Sequence, residues 1–236
     1  MLRARVIFGV GLTCALFGVG VLAPSAGAEA VTCAQNRGAK DWVDKKCKTE
    51  ALEAGKSGQW GHLQIPEGPT LNTFESEGNT VLKATTGGVT ITLTSSSLEG
   101  SGEIENATGG EIKGTGTITY LGVAANHSCL VNGSATSSIT TKLLKETGVS
   151  TTELKFEPNS GSTIAEFTLS SCAISALNKT WVISGVVVGT FNGAEVEFSH
   201  AGTTTQGTLK ANTSIAAGLE GGLLIVGANG NLLAVT

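Results

Sequence analysis

Apolar and polar residues alternate with a period of two over most of this chain, and Gly, Pro, Asn and Ser clusters interrupt the alternation every few residues. In GVTITLTS, Val89, Ile91 and Leu93 fall on one face and Thr90, Thr92 and Thr94 on the other, which is the pattern of a half-buried strand. TTELKFEP repeats it, with Leu154 and Phe156 set against Glu153, Lys155 and Glu157. HLQI, NTVLKAT, GEIEN, GEIKGTGTITYLG, SSITTKLLKETGV and TIAEFTLSSC read as further strands, divided by PEGP, SEGN, TTGG, EGSG and ATGG.

The longest hairpin signal runs from Lys179 to His200, KTWVISGVVVGTFNGAEVEFSH. Its first arm, Trp181 to Thr190, is apolar on both faces and predicts a central strand with Trp181 in the core. The second alternates Ala194, Val196 and Phe198 with Glu195, Glu197 and Ser199, which predicts one solvated face. Between them Asn192-Gly193 predicts a two-residue type I′ turn, because both residues tolerate positive φ. The C-terminal stretch repeats the device around Asn229-Gly230. The pattern therefore predicts an all-β protein: an antiparallel β-sandwich or partly closed β-barrel with a small disulfide-tied N-terminal segment.

The N-terminus alters the cysteine count. Arg3 and Arg5 precede an apolar run from Val6 to Leu22, followed by small residues at two A-x-A sites, Ala26/Ala28 and Ala28/Ala30. This is the form of a secretory signal peptide over residues 1–30, so the expectation is a secreted, extracellular or cell-wall-associated protein with no integral membrane span after cleavage. Cys14 leaves with the signal, and Cys33, Cys47, Cys129 and Cys172 remain. An even number in an exported chain points to disulfides; three connectivities are open, and proximity favours Cys33 with Cys47 and Cys129 with Cys172. A bridge closing the shorter loop would stabilise by about 3 kcal/mol in the chain-entropy model.

Residues 31–60 form a charged segment holding both aspartates, Asp41 and Asp44. They predict a disulfide-tied loop or short hairpin, TEALEAG being a helical turn in the alternative, while residues 61–236 predict one all-β domain. Charged residues make up 14% of the chain and the formal charge is -4, with no basic stripe carrying interleaved aromatics, so nucleic acid is not an expected partner. No C-x-x-C pair and no aspartate-rich loop occurs; neither a metal site nor a cofactor is predicted.

GAKDWVDKKC, GTGTITY, and FEPNSGSTIAEFTLSSC followed by VISGVVVG resemble segments of a group of uncharacterised secreted β-rich proteins of high-GC Gram-positive bacteria. The resemblance spans most of the mature chain and implies export and an all-β fold. It carries no catalytic residue.

Candidate chemistry is sparse. His62, His127 and His200 have only Asp41 and Asp44 as aspartate partners, and no G-x-S-x-G elbow is present, so no catalytic residue is predicted. Glu103/Glu105 and Glu195/Glu197 are spaced two apart; such carboxylates lie about 6–7 Å apart on one strand face, a separation that overlaps that of glycosidases. With His200 they are the residues of a glycan or ester hydrolase reading, against which stands the alternation of any amphipathic strand. Trp42 and Trp60 are the residues of a carbohydrate-binding reading, in which indole rings stack on a cell-wall or extracellular polysaccharide. Asn106, Asn126, Asn132, Asn178 and Asn212 each open an Asn-x-Ser/Thr sequon. The leading expectation is a secreted non-catalytic protein with a structural or interaction role.

Overall fold

A computed structural model describes residues 29–36, 40–52, 55, 57–65, 68–107, 111–150, 152–199 and 208–235. The signal-peptide reading of residues 1–28 and the reading of His200 fall outside them. Eighteen strands follow in order: β1 (Ala30–Gln35), β2 (Trp60–Gln64), β3 (Thr70–Ser76), β4 (Thr80–Thr86), β5 (Val89–Ser95), β6 (Ser97–Ala107), β7 (Glu111–Ala125), β8 (Leu130–Val131) and β9 (Ser137–Thr140). Then come β10 (Leu144–Ser150), β11 (Glu153–Pro158), β12 (Thr163–Ser170), β13 (Lys179–Ser184), β14 (Val187–Asn192), β15 (Glu195–Phe198), β16 (Lys210–Ala211), β17 (Ile215–Gly227) and β18 (Leu232–Val235). The fold is all-β and antiparallel, as the alternation predicts, and no helix among the described residues is long and apolar enough to cross a membrane.

Eight strands pair in a closed circuit. β3 bonds to β6, β6 to β7, β7 to β10 and β10 to β11; β11 bonds to β14, β14 to β15, β15 to β17, and β17 returns to β3. Closure leaves the circuit without an unpaired edge. Its inner face carries Phe74, Ile104, Leu154, Phe156, Val196 and Ile225, all buried.

Two strands are long enough to leave this circuit and build a second group. β17 enters the circuit through its C-terminal half, while Ala217–Glu220 pair with β4 and Ile215 and Ala216 with β16. β7 continues beyond its β10 partner to meet β9 and, past its β6 partner at Ala124 and Ala125, β5. The second group thus runs β8, β12, β13, β16, β17, β4, β5, β7 in order of pairing. Cys129–Cys172 ties the turn between β7 and β8 to the residue pair following β12. Trp181 on β13 is fully buried and its indole N–H donates to the Leu177 carbonyl at 3.1 Å.

Three local expectations change. The apolar arm from Trp181 to Thr190 is two strands: Gly185, at φ +105°, ends β13, which pairs with β12, and β14 begins anew beside β11. The turn lies one residue later than Asn192-Gly193, since Asn192 pairs with Glu195 and the connecting residues are Gly193, at φ +63°, and Ala194. A glycine of positive φ at the first central position meets the requirement of a type II′ turn. The outer face of β15 is also covered, because the N-terminal segment lies over it. Lys46 Nζ reaches Glu77 at 2.7 Å and Glu195 at 3.5 Å, and Lys48 Nζ reaches Glu195 at 3.4 Å and Glu197 at 3.3 Å.

The N-terminal segment contributes β1 to the sheet, between β18 and β2. Its described residues after β1 form turns and isolated bridges, Trp42 pairing with both Glu50 and Trp60. Cys33–Cys47 fastens this loop over a small second core that includes Ala194, Leu224, Leu232 and Ala234.

Candidate ligand-binding cavity

In the second strand group the inward side chains fail to meet. Leu82 of β4, Leu93 of β5, Val123 of β7 and Ile139 of β9 face Ile164 and Phe167 of β12, Ile183 of β13 and Leu219 of β17. Between them, at positions that large apolar residues would fill, stand Thr80, Ser95, Thr141 and Ala165. The result is a partly enclosed, predominantly apolar cavity of about 70 Å³. That is several times what one water requires but less than half of a cavity that takes a benzene ring, so it has room for a group of a few carbon atoms. Apolar walls of this kind bind by removing hydrocarbon from water, and a few polar groups fix orientation.

The polar groups are identifiable. Ser95 Oγ donates to the carbonyl of Leu121 at 2.8 Å and Thr141 Oγ1 accepts from Ile118 N–H at 3.0 Å, so both acceptors or donors are partly committed. Thr80 Oγ1 is buried without a partner. The Tyr120 phenol also lines the wall, and burial pushes its acidity constant up to about 12, so it enters any complex in its neutral form. A hydroxyl left unpaired against apolar walls costs on the order of 1–3 kcal/mol, which a ligand acceptor would recover.

The sequence-predicted residues lie elsewhere. Trp42 and Trp60 sit directly opposite each other in a bridge, N–H of Trp42 to the carbonyl of Trp60 at 3.2 Å and the reverse at 3.0 Å, and both are half-buried against the second core. Trp42 stacks on the His62 ring with centroids 4.0 Å apart. Partial burial holds the His62 imidazole below its ordinary value, against the pull of Asp41. Glu103 and Glu105 share the outward face of β6 and line a shallow groove with Lys113, Lys145 and Asn159, whereas Glu195 and Glu197 are engaged by Lys46 and Lys48 on β15. The two carboxylate pairs are not brought together by pairing of their strands. His127 contacts the Thr90 carbonyl at 3.0 Å.

All five sequon asparagines are bound to the backbone. Asn106 Oδ1 accepts from Ala30 N–H at 2.7 Å and its amide donates back to the Ala30 carbonyl at 2.9 Å. Asn126, Asn132, Asn178 and Asn212 accept from the N–H groups of Thr92, Thr168, Cys172 and Val182 in turn. These side chains replace ladder partners at strand ends, the local role for which asparagine is suited.

Sequence reasoning missed two features. The cavity draws its walls from eight strands, and no short motif announces it. Glu146, in LLKETG, resembles any surface charge, yet it is fully buried inside the eight-strand circuit with both oxygens unpartnered among the described residues. A signal did exist: β6 and β7 place glycine at every second position, 100, 102, 114 and 116, so the inner wall there lacks side chains and leaves space for Glu146 and Phe74.

No family model, curated protein or solved structure matches this chain.

Proposed function

We propose that this chain is an exported, non-catalytic binding protein that holds one small apolar ligand, a hydrocarbon group of a few carbon atoms bearing a single hydrogen-bond acceptor, in the cavity between β4, β5, β7 and β12, β13. The observation that carries the reading is the cavity itself: an apolar hollow of about 70 Å³ with the buried, unpaired hydroxyl of Thr80 and the phenol of Tyr120 at its wall. Two disulfides, a closed strand circuit and a hydroxyl-rich exterior suit a rigid carrier outside the cell. The test is native mass spectrometry of the secreted protein purified without detergent. A bound species of low mass that organic solvent releases supports the reading; a chain that carries none and takes up none from a panel of short-chain alcohols, ketones and carboxylic acids contradicts it.

A second reading, binding of cell-wall or extracellular polysaccharide, is favoured by the pairing of two half-exposed indoles, Trp42 and Trp60, on one face. Retention on insoluble polysaccharide that is lost in Trp60→Ala supports it, and absence of retention on any such polymer removes it.

A further inference from the structure

We propose that reduction of Cys33–Cys47 converts this disulfide, together with His62, into a binding site for a thiophilic divalent cation of the zinc class. The two sulfurs and a ring nitrogen of His62 lie within 4.8 Å of one another. Tetrahedral zinc, with bonds of about 2.3 Å to sulfur and about 2.0–2.1 Å to nitrogen, needs its ligand atoms slightly less than about 4 Å apart, so on reduction the sulfurs separate by roughly 1.5 Å and the imidazole nitrogen closes by up to about 1 Å. Three protein ligands leave the fourth position to water.

What distinguishes this cluster from a disulfide that happens to lie near a histidine is that each ligand is held without the S–S bond. Cys33 is central in β1, paired with Leu232 on one side and with His62 itself on the other. The same register that bonds the strands therefore sets the first sulfur beside the imidazole. His62 is kept in place by the Trp42 ring stacked on it at 4.0 Å. Cys47 belongs to a tight loop organised by Asp44, whose carboxylate accepts from the N–H groups of Lys46 and Thr49 at 2.8 Å each and of Lys48 at 3.4 Å, while Cys47 N–H bonds to the Asp44 carbonyl at 3.1 Å. That loop is fixed to β15 by the Ala194 N–H to Lys46 carbonyl bond at 2.6 Å and by the ion pairs of Lys46 and Lys48. Cys33 and Cys47 are buried, which keeps competing water from two of the ligands.

The chemistry balances simply. A small dithiol gives two electrons and two protons to the disulfide and becomes a disulfide itself, leaving Cys33 and Cys47 as thiols. The cation then displaces both thiol protons to solvent and bonds two thiolates and the neutral imidazole. The oxidised protein offers no thiolate and should bind no such ion, so occupancy follows the redox state of this one bond.

The experiment titrates zinc, and cobalt(II) as its spectroscopic stand-in, into the whole protein before and after reduction by a water-soluble phosphine, with anaerobic handling. The expected result is one equivalent bound by the reduced protein only, with the intense visible absorption of tetrahedral cobalt thiolate and quenching of Trp42 emission. His62→Ala should weaken binding by more than the roughly 10- to 100-fold that loss of an outer-shell partner costs. Reduced Cys33→Ala/Cys47→Ala, which keeps Cys129 and Cys172, should bind none. If the reduced protein stays folded by circular dichroism and binds no cation, the proposal fails. It fails equally if binding is unchanged in His62→Ala or survives in Cys33→Ala/Cys47→Ala. A reduced protein that unfolds and that zinc refolds supports it; one that zinc cannot refold contradicts it.

Discussion

Asn72 and Glu146 reach over the same glycine shelf from strands on either side of it. Asn72 Oδ1 lies 3.1 Å from where a Cβ on Gly102 would stand, Glu146 Oε1 the same distance from that of Gly116, and Gly102 and Gly116 are direct partners across β6 and β7. Among the described residues none of the four polar side-chain atoms of these two residues has a hydrogen-bond partner. The groups turned towards Glu146 are Gly114 and Gly116 of β7, Phe156 of β11, and Asn72 and Phe74 of β3, and none of them is charged.

Burial consequently pushes the Glu146 carboxyl from an ordinary 4.5 up to about 8. The folded state keeps a proton that the unfolded chain releases, so this residue's contribution is fully present below about pH 4.5, declines as pH rises, and is lost through about pH 8. Inside that window the slope approaches about 1.4 kcal/mol per pH unit, a few kcal/mol in all. Urea midpoints of the parent should fall between pH 5 and pH 8, and Glu146→Gln should flatten that fall. Parallel curves for the two proteins would show that Glu146 ionises without penalty.

The reciprocal bonds between Asn106 and Ala30 anchor the start of β1. Asn106→Ala should lose about 1–2 kcal/mol in chemical denaturation, because it leaves a buried Ala30 N–H unpaired.

Gly193 combines φ +63° with close backbone on its Cα side, where the carbonyl of Cys47 lies 3.0 Å from the position a Cβ would take. Gly193→Val should therefore destabilise by about 1–3 kcal/mol through backbone strain, and by more through collision with the Cys47 loop. A heat-denaturation midpoint equal to the parent's would place the turn elsewhere.

How much of this was legible depended on distance along the chain. The strands of GVTITLTS and TTELKFEP, the burial of Trp181 and both disulfides followed from alternation and from cysteine spacing, which are local signals. The split at Gly185 was not visible because β13 and β14 are apolar on both sides of it and differ only in which neighbours they choose. The one-residue shift of the turn arises from tertiary contact: the Ala194 N–H is taken by the Lys46 carbonyl, far away in sequence. Glu195 and Glu197 read as solvated for the same reason, since alternation tells which face a residue takes but not what covers that face. The cavity and Glu146 required the closure of strands that no single segment encodes.

The central claim is that the cavity receives an apolar ligand, and a binding titration tests it most directly. A short-chain ketone, a ligand of a few carbon atoms with one acceptor, is titrated into the parent, Ala165→Phe and Tyr120→Phe and followed by the NMR shifts of the methyl groups that line the cavity. Ala165 lines the cavity and is buried, so phenylalanine there fills the hollow at a stability cost of about 1–3 kcal/mol, and removing the Tyr120 hydroxyl deletes one polar wall contact. The account predicts saturable one-to-one binding to the parent, weaker binding to Tyr120→Phe, and none to Ala165→Phe while it remains folded. Binding that is absent from the parent, or equal in all three proteins, would contradict it.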